Sequence, residues 1–331
     1  NLAQAMEHAQ QLLDHDLQQA ALQLEEILAA VPNHVPAHFL KAVVLGQQQQ
    51  GEQAIQALEK VLALDPNHPE AWRLLADHSA AIGDKAASES AYLRHLQSAT
   101  GNPNLQQAAA AMIANELPTA ERILKSHLKN APTDVAAIRM LAEVAVRVGR
   151  NDDAQALLEY CLELTPGFAG ARYNLAVLLH RTNKSDDALR EVDQLLAEEP
   201  DRPGYRNLAA VVCSRIGEYE RSSRLYQALL EEYPQNAKVW LSYAHVLKTE
   251  GKREACEAAY RGAIDRDERF GEAYWSLANL KTFRFSEQDI SNMQRQVARE
   301  DLELSSRVQF YFALGKAAED AGDYSVSFDH Y

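Results

Sequence analysis

Apolar residues in this chain recur at helical spacing, and that pattern then repeats itself. In "VAAIRMLAEVAVRVGRNDDAQALLEYCLELTPGF", residues 135–168, Ile138, Leu141, Ala142 and Ala145 stand at i, i+3, i+4 and i+7, one apolar face of a first helix. Ala154, Leu157, Leu158 and Cys161 make the stripe of a second helix. Gly149 between them can take the positive φ that ends a helix, and Pro166 opens the connection to the next pair. The grammar returns every 34 residues: Pro32 and Pro66 keep that interval, as do Pro132, Pro166, Pro200 and Pro234. Ala42 and Ala76 keep it too, and so does the column Ala142, Ala176, Ala210, Ala244 and Ala278. Two residues are missing between Ala76 and Ala142, so the register slips once. The small columns mark places where helix backbones pass closely, and no single pair buries its apolar face alone. The pattern predicts an all-α chain, an α-solenoid of stacked antiparallel helix pairs.

At these positions the sequence resembles the tetratricopeptide repeat (TPR) family, which implies a right-handed superhelix. About eight repeats plus the first helix of a ninth are expected over residues 1–280. Local departures are Ser88 and Ser222, where the family prefers Ala, and Gly51, displaced from the turn position after a run of glutamines. Repeat four, "NPNLQQAAAAMIANELPTAERILKSHLKNAP", is Ala-rich where the other repeats carry the large residues of the first helix, and is expected to open first.

The step breaks after "GEAYWSLANL". In place of a glycine turn the chain writes Phe283-Arg284-Phe285, then Ser286 and Asp289 in the arrangement of a helix cap. Ile290, Met293 and Val297 give the following helix an apolar stripe. Residues 281–305 therefore read as an inserted linker helix. Residues 306–331 return to repeat spacing through Tyr311, Leu314, Gly315, Ala318 and Gly322, as a last unit cut within its second helix at Tyr331. The combination "EAYWSLANLKTFRF…FALGKAAEDAGDYSVSFDHY" resembles bacterial proteins in which tetratricopeptide repeats are fused to a sulfotransferase domain. That resemblance implies a substrate-presenting array followed by a transferase domain whose Pro-x-Ser-Gly-Thr-Thr phosphate cradle binds the sulfate donor PAPS. The cradle is not in these residues, so the catalytic domain would lie beyond Tyr331. The competing reading is a stand-alone scaffold or assembly adaptor.

Composition narrows the partners. A formal net charge of −14 argues against a general nucleic-acid binder, because phosphate contacts need clustered Lys and Arg. No apolar run approaches a membrane span and no signal peptide precedes the first repeat, which points to a cytoplasmic location. Cys161, Cys213 and Cys256 fall in different repeats at inward positions without metal or redox spacing, and read as buried structural thiols.

No cofactor and no catalytic residue is expected within these residues: there is no P-loop, no GxSxG and no HExxH. His34 and His38 are four apart but straddle a repeat boundary at Val35-Pro36, and read as loop or rim residues rather than metal ligands. The pairs Asp152-Asp153 and Asp186-Asp187 complement the N-terminal dipoles of second helices. What remains is a surface. The family's groove positions, carried onto this sequence, are Arg73, Asp77, Arg139, Glu143 and Tyr173, then His180, Asn207 and Leu241, then His245, Trp275 and Asn279. Arg147, Arg181 and Arg215 add a column one period apart. Their mixture suits an extended protein segment or peptide, acidic where it meets the arginines; each Arg could equally cap the carbonyls of its own helix. Asn174 and Asn207 occur without the lysines of the family's chaperone-tail clamp, so chaperone docking is not expected.

Overall fold

The computed structural model describes every residue except Asn1, Asp14, Thr100, Lys281 and Thr282, and omits six side chains of one helix, those of Lys85, Glu89, Tyr92, Leu93, Leu96 and Ala99. Among the described residues there are twenty helices and no strand. The chain divides into two compact units, residues 1–233 and 234–331.

The first unit is seven helix pairs in sequence. They are α1 (Leu2–Leu12) with α2 (Leu17–Ala30), α3 (Val35–Gln47) with α4 (Gly51–Leu64), and α5 (Pro69–Ala81) with α6 (Lys85–Ala99). Then come α7 (Pro103–Ile113) with α8 (Leu117–Asn130), α9 (Val135–Arg147) with α10 (Asn151–Leu164), α11 (Ala169–Arg181) with α12 (Ser185–Glu198), and α13 (Pro203–Ile216) with α14 (Tyr219–Glu232). The two missing residues come out of α7, which has 11 residues where α5 and α9 have 13.

Six of the seven pairs, from α3–α4 onward, turn through one left-handed residue. Gly83, Gly149 and Gly217 supply it where the sequence places glycine; Gln49, Asn115 and Asn183 supply it elsewhere, at φ of 59–61°. Gly51, which the sequence suggests as a displaced turn, lies instead inside α4. The first helices α3, α5, α7 and α9 begin on side-chain caps: His34 and His68 accept from Ala37 N and Ala71 N through Nδ1, Asn102 accepts from Asn104 N, and Asp134 accepts from Ala136 N and Ala137 N. A further column joins each loop to its helix. Six residues after the repeat proline, His38, Trp72 and Arg172 bond to the carbonyls of Pro32, Pro66 and Pro166 at 2.6–2.8 Å. His38 is thus on α3, its ring turned back to the loop. The alanine column is buried as the spacing predicts, with Ala142, Ala176 and Ala210 fully enclosed. Ser88 and Ser222 stand in the small column of the second helices, with the buried Ala54, Ala154 and Ala188, and satisfy their hydroxyls by donating to the carbonyls of Ala76 and Ala210, at 2.9 and 2.7 Å. The aspartate pairs sit in the first turns of α10 and α12.

In the second unit α15 (Ala237–Thr249) pairs with α16 (Arg253–Arg266), and α17 (Gly271–Ala278) is only 8 residues long. α18 (Glu287–Val297) starts on the capping box of Ser286 and Asp289 expected from sequence. α17 packs on α19 (Leu304–Asp320), which is followed by α20 (Tyr324–His330). Phe283 and Phe285 pack edge to face at 5.1 Å, Phe285 stacks on the buried Tyr274, and Phe283 lies under the Arg261 guanidinium. Arg261 also grips Asp289 with both nitrogens, and Arg284 reaches Asp320 Oδ2 at 2.9 Å. Burial opposes the Asp289 charge, yet the Arg261 and Ser286 bonds outweigh it and hold the carboxyl below its ordinary range.

Replacing Ala176 by Leu forces three carbons into a fully closed site and should cost about 1–3 kcal/mol. Urea unfolding checks this, and a midpoint equal to the parent's contradicts the register.

Candidate functional site

The first helices of repeats three to seven do not spread into an open trough. Instead α13 comes back against α5, and the first unit closes on itself. Small residues allow the approach. A Cβ built on Gly204 would meet the Ala80 Cβ at 3.2 Å and the Asp77 carbonyl at 3.5 Å, so only a bare backbone sits there without displacement.

Polar bonds then fix the contact. Arg202 donates to Asp77 Oδ1 at 2.6 Å while Arg73 meets Oδ2 at 3.3 Å, so two guanidiniums share one carboxylate. Arg202 also donates to the Tyr205 hydroxyl at 2.7 Å and to Glu199 at 2.9 Å. Burial pushes the Asp77 carboxyl above its ordinary value against the pull of both arginines. Asn207 Nδ2 donates to the Ala80 carbonyl at 3.0 Å.

A second contact involves the last residue of the unit. The Tyr233 ring is fully buried over Gly51, where a Cβ would lie 2.0 Å from it, and its hydroxyl meets His78 Nδ1 at 2.6 Å. The buried Arg206–Glu232 pair holds the end of α14 beside α13, which aims Tyr233 at this slot. Burial alone draws the His78 pKa down to about 4, so the ring is neutral at physiological pH. Burial likewise pushes the Tyr233 phenol up.

The closure redistributes the residues that the sequence assigns to a groove. Arg73, Asp77, Arg139, Glu143 and Tyr173 all line one cavity of about 290 Å³ inside the ring, joined by Asn174. Asp77 and Asn207 are committed to the closing contact. Arg147 donates to the Met112 carbonyl at 2.8 Å and Arg215 to Asn183 Oδ1 at 3.0 Å; each reaches the turn of the preceding repeat rather than capping its own helix. Arg181 is exposed and His180 half-buried. In the second unit Leu241 belongs to the apolar core and not to a surface, because it packs in the cluster of Tyr260 and Tyr274. His245 meets Ser276 Oγ at 3.3 Å, and burial, helped by Lys248, lowers its pKa. Trp275 is exposed, and Asn279 donates back to its carbonyl.

Sequence reasoning misses Arg202, Gly204, His78 and Tyr233, which make the closure. Arg202-Pro203-Gly204 is a signal of sorts, since glycine in the first turn of a helix asks for a close neighbour. His34 and His38 hold no metal-binding arrangement, and the described residues contain no group of His, Cys, Asp and Glu that could hold one. No helix among them is long and apolar enough to cross a membrane.

Comparison with known proteins agrees with the repeat geometry. Residues 1–77, 45–113 and 145–212 match one tetratricopeptide repeat family and residues 237–270 another, together more than half of the chain. No curated protein matches the sequence. Among solved structures, MamA residues 41 to the end from Desulfovibrio magneticus RS-1 is similar at 13% identity and TM-score 0.48, over 50% of this chain and 93% of that one. A MamA AMB-1 crystal form is 19% identical at TM-score 0.47, over 50% of this chain and 99% of that one. The human IFIT1 dimer with m7Gppp-AAAA is 15% identical at TM-score 0.48, over 89% of this chain and 75% of that one.

The His78 slot has a signed pH dependence. An unfolded chain protonates this histidine near pH 6.5, whereas the folded ring resists until about 4. Its contribution is therefore intact above pH 6.5 and lost as pH falls toward 4, on the order of 3 kcal/mol in total. His95 and His245, also lowered by burial, act in the same direction, so the reading comes from the difference between the parent and His78→Asn. Denaturant titrations at pH 7 and pH 4.5 should show a shallower loss in the variant; parallel losses place the proton elsewhere.

Proposed function

The chain belongs to the tetratricopeptide repeat family, and on that footing we propose that it is a scaffold whose first unit holds an acidic, extended protein segment along the edge marked by Arg147, Arg181 and Arg215. The supporting observation is the fixing of this column. Arg147 donates to the end of α7 and lies beside Glu143, and Arg215 donates to the turn of the repeat before it; these ties hold the guanidiniums in place, which lowers the entropy of recruiting their remaining N–H groups. A strand of carboxylates would meet donors at repeat intervals in a chain of net charge −14, where such a row is a local exception. The concave face is the weaker candidate for an extended peptide, because closure reduces it to about 290 Å³.

The larger context we propose is a substrate-presenting region ahead of a sulfotransferase domain that binds PAPS. Its support is the Phe283-Arg284-Phe285 junction, the motif shared with the fused proteins, which is built into the core of the second unit beside α19. Acidic flanks are the feature that protein-tyrosine sulfation enzymes favour, which joins the two halves of the proposal. Purified full-length protein that transfers sulfate from PAPS to a tyrosine peptide supports this; a full-length chain with no PAPS turnover leaves the stand-alone scaffold.

Replacing all three arginines by Gln should weaken binding of an acidic peptide about tenfold or more, with a small change in melting temperature. Raised salt should weaken the parent similarly. An unchanged affinity with a lowered melting temperature shows that the arginines only brace their neighbours' turns.

A further inference from the structure

The cavity inside the closed ring has a chemistry of its own. At about 290 Å³ it stands at the lower end of the roughly 300–1,000 Å³ of small-molecule sites. Its charged lining is uneven: Arg73, Arg139 and Arg202 face Asp77 and Glu143. With the ion partners just behind the wall counted, Glu199 on Arg202 and Arg147 beside Glu143, four guanidiniums meet three carboxyls, so one positive charge is in surplus. The burial that raises Asp77 can only enlarge that surplus.

Away from the guanidiniums the wall turns apolar. Met112 and Met140 line it, and Tyr173 tilts against Tyr205 with ring centroids 5.8 Å apart. Both tyrosine rings are held: Tyr205 lies under the Arg202 guanidinium at 4.6 Å and takes its hydrogen bond.

We propose that this cavity binds a small organic monoanion, a carboxylate on an aromatic or branched apolar body. One negative charge cancels the surplus, while the body covers the methionine and tyrosine wall. An amine would add to the surplus, and a neutral analogue would leave it uncompensated. Guanidiniums also match a carboxylate in shape, each offering paired N–H donors. Arg147, Arg181 and Arg215 do not line the cavity, and only Arg147 touches its wall, 3.9 Å from Glu143, so Arg181→Gln with Arg215→Gln should leave the acid's affinity unchanged and the failure of either assignment leaves the other standing.

Calorimetry with naphthylacetate, naphthylethanol and naphthylethylamine tests the assignment on the purified chain. The acid should bind with one site per chain, the alcohol about tenfold more weakly, and the amine not at all. Two charge variants should move the acid's affinity in opposite directions. Arg73→Gln removes the surplus and should weaken binding about tenfold, while Glu143→Gln enlarges it and should tighten binding by several fold. Ala169→Trp, placed on the rim of the cavity, should abolish binding with its helical circular dichroism unchanged. No saturable binding up to millimolar acid overturns the proposal. So do equal affinities for acid and alcohol, full binding in Ala169→Trp, or both charge variants shifting affinity the same way.

Discussion

The return of α13 to α5 governs the first unit, and it rests on a single carboxylate shared by two arginines. Asp77 is the carboxylate that both repeat three and repeat seven hold, through Arg73 within its own helix and Arg202 from across the ring. Burying such a triad is costly in desolvation, so its contribution lies less in net stability than in admitting one register of approach. Removing Arg202 would leave the Asp77 carboxylate to Arg73 alone, whose side chain is 40% exposed, and would take away the bond that crosses the ring. Net stability of the contact is better sought in Tyr233, whose ring fills the space left by Gly51 and whose hydroxyl finds His78. A small helix at Gly204, a carboxylate at Asp77 and an aromatic plug at Tyr233 thus act on one event.

Closure changes what a concave face can do. An open solenoid of this family offers a trough along which a partner lies. Here the trough positions Arg73, Arg139, Glu143 and Tyr173 look inward on a chamber with mixed charge and apolar walls, and an extended chain is left with the edges. The two proposed binding modes would then use different faces, a compact ligand inside and a segment along the arginine edge outside, with the Arg147–Glu143 pair between them.

The repeat was legible in the sequence because it is written in local chemistry. Proline, alanine and glycine columns at 34-residue spacing follow from loop closure, backbone contact and positive φ, and each needs only its near neighbours. Where a turn used Gln49, Asn115 or Asn183, the signal faded because amides tolerate the left-handed region without advertising it as glycine does. Groove positions were readable as one face of the first helices, and five of them do line one cavity. Ring closure was not readable. It depends on the rotation accumulated over successive repeats between α5 and α13, a sum that no single window of sequence contains. Leu241 shows the same limit at one position: its repeat number matched the groove, but the short α17 and the packing of α19 on it draw that residue into the core. The broken step itself was visible, and its reason was not. Phe283 and Phe285 wedge among Tyr274, Phe310 and Arg261, and so replace the turn and partner helix that the pattern omits.

Whether α13 truly meets α5 can be measured by cross-linking across the ring. An ideal Cβ at position 204 lies 3.2 Å from the Cβ of Ala80, near the roughly 3.5–4.5 Å span of a disulfide, although the two residues are more than a hundred positions apart. Ala80→Cys with Gly204→Cys, in a chain whose Cys161, Cys213 and Cys256 are replaced by Ala, should form an intramolecular disulfide under mild oxidation. It would appear as a faster band on a non-reducing gel and vanish with reductant. If both thiols instead react fully with maleimide and no cross-linked monomer forms, the first unit is an open solenoid and the closed ring is wrong.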